Sequence, residues 1–134
     1  MTSEPLPAVV KDWLRDKACP IVATIDPDGI PQLSAVWAKL DGDGVVFSTL
    51  RDRRKGRNLA RDPRASVLVS NPADPYETVE VRGRADVTDD PDGSLIKELG
   101  LHYNDGAEFT EPVEQTRRRI IVRVHPDHVT TYGL

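Results

Sequence analysis

The sequence predicts a mainly β fold with peripheral helices, its antiparallel sheet curled into a small barrel. Three observations predict it. Six or seven short β-branched segments recur along the 134 residues, two hairpin turns join the first three, and helical periodicity appears only before or between them. Closing such a sheet removes the exposed edges that segments this rich in valine and isoleucine would otherwise offer to other chains. Residues 1–134 fit one compact domain, which should bury roughly two thirds of the surface of its unfolded chain. Apolar residues make up 38% and charged residues 30%, the composition of a soluble globular protein. No apolar run approaches the ~20 residues of a membrane helix. The opening MTSEPLPAVV has no basic patch followed by an apolar run, and a single cysteine, Cys19, rules out an internal disulfide. A cytoplasmic location is the expectation.

Apolar residues at Leu6, Val9, Val10, Trp13 and Leu14 follow the i, i+3, i+4, i+7, i+8 stripe of an amphipathic helix over 6–14. CPIVATI at 19–25 is a first strand, and Pro27-Asp28-Gly29 turns it into a second over 30–40. Asp41-Gly42-Asp43-Gly44 is a strong hairpin signal before a third strand at 45–50. Residues 53–61 lack alternation and carry good helix formers, so they form a short helix with Asp52 as its N-cap. Asp62-Pro63 stops that helix, because a residue before proline is driven out of the α region. A fourth strand spans 65–70, and Asn71-Pro-Ala-Asp-Pro75 is a loop. Over 78–87, Val79, Val81, Gly83, Ala85 and Val87 alternate with polar residues, giving the clearest strand of the chain. A helix over 90–103, a mobile loop over 104–112, and strands at 118–124 and 129–132 complete the expected order.

Charge is distributed unevenly. Between Arg51 and Arg64 seven basic residues face only Asp52 and Asp62, so this stretch carries +5 in a chain of net −4, leaving −9 for the rest. The basic cluster is therefore a local device. A strand ending in Ser48-Thr49 and running into a helix N-terminus makes a good anion cradle, since hydroxyls, free N–H groups and the helix dipole all favour negative charge there. Arg53, Arg54 and Lys55 add charge-assisted hydrogen bonds, and Asn58, one turn after Lys55, extends the cradle. A solvated surface helix and a nucleic-acid patch are the competing readings. An acidic remainder and few aromatics argue against nucleic acid.

Other catalytic patterns are missing. No Gly-x-Ser-x-Gly elbow, His-Glu-x-x-His pair, P-loop or Gly-x-Gly-x-x-Gly fingerprint is present. His102, His125 and His128 read as solvated residues and no metal site is expected. Cys19 reads as a small core residue. Any catalysis is expected to come from a cofactor.

The ordered set of Phe47-Ser-Thr-Leu-Arg-Asp-Arg-Arg-Lys-Gly-Arg-Asn-Leu59, Arg61-Asp-Pro-Arg-Ala-Ser-Val67, Gly29-Ile-Pro-Gln-Leu-Ser-Ala-Val-Trp37, Pro75-Tyr-Glu-Thr-Val-Glu-Val-Arg-Gly-Arg-Ala85 and Val122 to Tyr132 resembles the split-barrel flavin and deazaflavin oxidoreductases. These form the pyridoxamine 5'-phosphate oxidase superfamily. The resemblance implies an FMN-binding split barrel that forms a homodimer, with cofactors in clefts between subunits. It implies that Ser48 and Thr49 hold the cofactor phosphate, that Arg53, Arg54 and Lys55 neutralise it, and that Asn58 bonds nearby. Backbone groups of Ser34, Ala35, Val36 and Trp37 would line the ring, with Tyr76 and Thr78 approaching from the other subunit. Trp37 reads equally well as core packing, and Gln32 as a solvent-facing strand residue. Gly83 would permit close packing within a structural Arg82-Gly83-Arg84 motif. The Arg53, Lys55, Asn58, Leu59 spacing and the PYETVEVRGRA strand most resemble the branch that uses coenzyme F420, a deazaflavin carrying a phosphate and a polyglutamate tail. Arg51 or Arg57 would serve that tail or be merely solvated. The implied activity is hydride transfer to a small unsaturated organic substrate. FMN in the same cradle, or a non-catalytic F420 carrier, are the alternatives.

Overall fold

A computed structural model describes residues 3–134. The elements are helix α1 (Val9–Arg15), strands β1 (Ile21–Ile25), β2 (Pro31–Ala35), β3 (Ala38–Asp41) and β4 (Gly44–Leu50), helix α2 (Arg54–Arg61), strands β5 (Arg64–Asn71) and β6 (Asp74–Asp89), helices α3 (Ser94–Tyr103) and α4 (Val113–Thr116), and strand β7 (Arg119–Tyr132). All seven strands join one antiparallel sheet in the order β2-β1-β5-β6-β7-β4-β3. Its two end strands, β2 and β3, are consecutive in the chain and separated only by Val36 and Trp37. At most ~3.6 Å per residue can be spanned by that link, so the sheet must curl until its ends nearly meet. They do not pair, and the barrel stays split. No helix among the described residues is long and apolar enough to cross a membrane.

Inside, Val22, Phe47, Val67, Val79, Val81 and Val122 are buried in one core cluster. Val10, Trp13 and Leu14 of α1 belong to the same cluster, with α1 packed against β3 and β5. Against the outer face of β4, α3 packs Leu95 and Leu99 on Val46, flanked by Trp37, Tyr103 and Ile121.

Several expected elements change. The 30–40 strand breaks at Val36–Trp37, where the chain leaves one end of the sheet for the other. The Val36 N–H bonds Pro20 O at 2.9 Å. Just beyond, Ala38 N–H donates to the Tyr103 hydroxyl at 3.2 Å, and that hydroxyl donates to Ala18 O at 2.6 Å. Helix α1 begins at Val9 rather than residue 6, as Pro5 and Pro7 precede it. Helix α3 begins at Ser94, and the buried Asp90 carboxylate accepts from Ser94 N–H, the Ser94 hydroxyl and Leu95 N–H. The two expected C-terminal strands are one: β7 runs on through Pro126, paired to Gly83 where the ladder bulges. A Cβ on Gly83 would lie 1.6 Å from His125 O, so only glycine fits that close approach. His125 and His128 therefore lie within a strand rather than a turn, against Asp86 at 2.6 Å and Glu4 at 3.4 Å.

Candidate functional site

Alternation along β4 decides where its hydroxyls point. Successive side chains face opposite sides of a strand, so the Ser48 and Thr49 hydroxyls point to opposite faces of β4. Thr49 is 1% exposed and its hydroxyl has no partner. Ser48 faces outward, toward a cavity of about 570 Å³ lined also by Cys19, Ala35, Val36, Trp37, Arg53, Lys55, Ile96, Phe109, Thr110, Glu111, Pro112, Gln115 and Arg119. Its hydroxyl too is buried without a hydrogen-bond partner. Pairing between β3 and β4 stops at Ala38↔Phe47, which leaves the Ser48–Leu50 end of β4 with a strand on its β7 side only.

Helix α2 follows immediately. Arg53 is its N-cap residue, without a side-chain cap bond. The expected cap, Asp52, pairs with Arg118 at 3.2 Å instead, and the helix starts one residue later than expected, at Arg54. Gly56 is what lets the helix sit so close. A Cβ there would meet Leu50 O at 2.4 Å and Arg51 O at 2.8 Å. Arg53 and Lys55 line the cavity, and among the described residues neither has a carboxylate partner. Burial holds the Lys55 ammonium below the usual lysine range, and the nearby Arg53 and Arg119 cations add to the effect.

Arg54 and Asn58 lie elsewhere. With 3.6 residues per turn, position 58 falls about 40° from position 54 but about 60° from position 55, and tertiary contacts favour the former pairing. Arg54 grips Asp26 through Nε and Nη2 at 3.0 and 2.7 Å. Asn58, 2% exposed, donates to the same carboxylate at 2.9 Å and lies 3.0 Å from the Thr24 hydroxyl. Arg61 reaches Ile25 O and Asn58 Oδ1. The Asn58 hydrogen bond, followed by the Arg54 bond, holds the Asp26 carboxyl below its ordinary value. These residues fasten α2 to β1, so Asn58 does not extend the cradle.

Trp37 stacks on Tyr103 with ring centroids 5.4 Å apart and meets Phe109 edge-on at 6.1 Å. Cys19 is exposed at the cavity wall instead of filling the core, because it lies before β1 begins and outside its inward pattern. Ser34 and Gln32 face the barrel interior, where the Ser34 hydroxyl and Gln32 Oε1 are buried without partners. Gln32 is thus not solvent-facing. Tyr76, 76% exposed, and Thr78 lie on β6 outside this cavity.

The expected 104–112 loop supplies one wall of the site, through Phe109, Thr110, Glu111 and Pro112, and it carries an ion pair that the sequence reading missed. Within the 104–112 segment, Phe109 sits against Gly100, where a Cβ would be 2.5 Å from the Phe109 Cβ. Glu111 accepts from Arg119 Nε and Nη2 at 3.0 and 2.8 Å, with both side chains 5% exposed. Nothing in the local pattern pairs these two residues, since a strand residue and a loop residue eight positions apart meet only through α4.

Comparison with known proteins places this geometry. A family profile described as pyridoxamine 5'-phosphate oxidase matches residues 6–132. The chain belongs to the pyridoxamine 5'-phosphate oxidase family. Its members are flavin-binding oxidoreductases. A solved structure described as an F420 reductase superposes with a TM-score of 0.81 at 33% identity, covering 93% of this chain and 98% of that one. A conserved hypothetical protein from Mycobacterium tuberculosis, 24% identical with a TM-score of 0.75 over 97% of this chain and 86% of that one, shares the fold. Among curated relatives, a pyridoxine/pyridoxamine 5'-phosphate oxidase of Rhodopseudomonas palustris is 43% identical over 56 residues, or 41% of this chain and 26% of that protein. One from Bradyrhizobium diazoefficiens is 38% identical over 60 residues, 44% of this chain and 28% of that protein. The match thus spans about a quarter of the length of these curated relatives.

Proposed function

We propose that this chain is an oxidoreductase that binds reduced coenzyme F420 in the Ser48–Arg53–Lys55 cavity and acts on a small unsaturated organic molecule. One observation carries the reading. The cavity combines two cations that, among the described residues, lack carboxylate partners with a buried hydroxyl that lacks any partner, and an unpaired buried hydroxyl is costly unless a ligand completes it. A phosphate supplies both the negative charge and the acceptor oxygens. Arg53 and Lys55 would neutralise it and Ser48 would bond it. The backbone of Ala35, Val36 and Trp37, on the same cavity wall, would line the ring. When bound, the deazaflavin supplies two-electron hydride chemistry to an electron-poor double bond. This chain's part is orientation and exclusion of water, with Trp37, Ile96 and Phe109 forming the apolar wall.

The similarity to an F420 reductase over nearly the whole of both chains favours the deazaflavin. FMN is the second reading, favoured by the names of the curated relatives over the segments they share. A homodimer belongs to the same proposal. Ile21, Leu33 and Leu68 are apolar yet 36%, 63% and 39% exposed on the outward side of β1, β2 and β5, and a second copy laid on that side would cover them. Tyr76 and Thr78 would then serve the partner's cofactor.

The deciding experiment is a fluorescence titration of protein purified from a host without F420, against F420 and FMN separately. Micromolar or tighter binding of F420, with FMN at least about tenfold weaker, is expected. Tight FMN binding with no response to F420 would transfer the proposal to the flavin.

A further inference from the structure

Three cations line the cavity, but among the described residues only Arg119 has a counter-ion. Arg53 and Lys55 stand without carboxylates, while Arg119 is held by Glu111 in a two-point grip, and both partners of that grip are nearly sealed from solvent. The Glu111 carboxylate is also fully coordinated, taking further bonds from Gln115 Nε2 at 2.7 Å and the Thr116 hydroxyl at 3.1 Å. It reaches Arg119 from an irregular segment whose apolar anchor, Phe109, lies against Trp37 and 5.6 Å from the Arg119 guanidinium carbon. A buried ion pair is a poor fastener, because the cost of drying both charges largely offsets their attraction. Phe109 already fastens this segment. What Glu111 does supply is a negative charge that neutralises one of the cavity's three cations, in the bidentate geometry a guanidinium offers equally to carboxylate and phosphate.

We infer that Arg119 is a third cationic ligand for the phosphate of the bound molecule, and that Glu111 occupies its place until that phosphate arrives. The inference rests on the cavity being the cofactor-anion site proposed above. Phosphate and the Glu111 carboxylate then compete for one guanidinium, so observed affinity is the difference between the two. Binding also loosens the polar anchor of the 107–112 wall while the Phe109 anchor stays, which couples cofactor arrival to the mobility of that wall.

Two ligand pairs that differ in phosphate test this: FMN against riboflavin, and F420 against its dephosphorylated deazaflavin core. Each is titrated into the wild type, Glu111→Gln, Lys55→Ala and Glu111→Gln/Arg119→Gln, with melting temperature recorded in parallel. Glu111→Gln should bind the phosphorylated member about tenfold more tightly and leave the unphosphorylated one unchanged. It should melt lower when free and recover more than the wild type on adding the phosphorylated ligand. The double variant should lose the gain. Equal changes for both members of a pair, or no gain in Glu111→Gln while Lys55→Ala still weakens phosphate-dependent binding, would reduce the pair to a structural clamp and overturn the inference. Loss of phosphate selectivity in no variant, Lys55→Ala included, would instead overturn the reading of the cavity and this inference with it.

Discussion

Helix α2 presents two faces of similar composition and opposite use. On one, Arg54, Asn58 and Arg61 are consumed by Asp26, Thr24 and the Ile25 carbonyl. On the other, Arg53 and Lys55 face a cavity whose one lining carboxylate, Glu111, is already held by Arg119. Arginine count therefore says little about ligand binding here. What separates an anchoring cation from a ligand-binding one is whether the fold has already brought it a counter-charge. A single carboxylate, Asp26, assigns the two faces their roles.

That contrast can be broken outright at Gly56, the residue both faces share. Gly56→Ala should push the first turn of α2 off the Leu50 and Arg51 carbonyls, costing about 1–3 kcal/mol. Urea unfolding should show the loss, and titration should show weaker cofactor binding as well. Cutting one face at a time sharpens the comparison. Asn58→Ala leaves a buried carboxylate short of a donor and should cost about 1–3 kcal/mol of stability with a smaller effect on binding. Lys55→Ala should do the reverse, weakening the phosphorylated ligand by about ten- to a hundredfold while the unfolding midpoint of the free protein barely moves. If both substitutions shifted both observables equally, the two faces would not be separate devices. The smallest effect is expected with acid. Because the Asp26 carboxyl is held below its ordinary value, its contribution is fully present above the unfolded carboxylate range, near pH 4. It is lost as pH falls through the folded value. Asp26→Asn should therefore flatten the acid limb of a stability-against-pH curve below about pH 4, measured by thermal melts, and leave neutral-pH cofactor affinity nearly intact.

Much of this architecture was legible in the chain. The 78–87 alternation, the two hairpins and the basic segment were all read in the right order, and Gly83 was singled out for the close approach it makes. These signals are local: period-two patterning, turn residues and charge density survive without knowing the fold. The errors fall where a partner is distant in sequence. The break at Val36–Trp37 depends on where β2 and β3 end up around the curl. Asn58 was placed beside Lys55 because helical spacing alone allows it, whereas Asp26, more than thirty positions earlier, turns it the other way. Ser48 and Thr49 were read together, and strand alternation then separated them. Arg119 and Glu111 carried no local mark, and one looked like an ordinary strand residue.

The sequence by itself determined that this chain curls a β-sheet and concentrates positive charge at the end of one strand, because periodicity and composition are properties of neighbours. Only the tertiary structure decided which of those charges are free to meet a ligand. Pairing of opposite charges depends on approach within a few ångströms, and that approach is set by barrel closure, the Gly56 contact and the return of the 104–112 segment over the sheet.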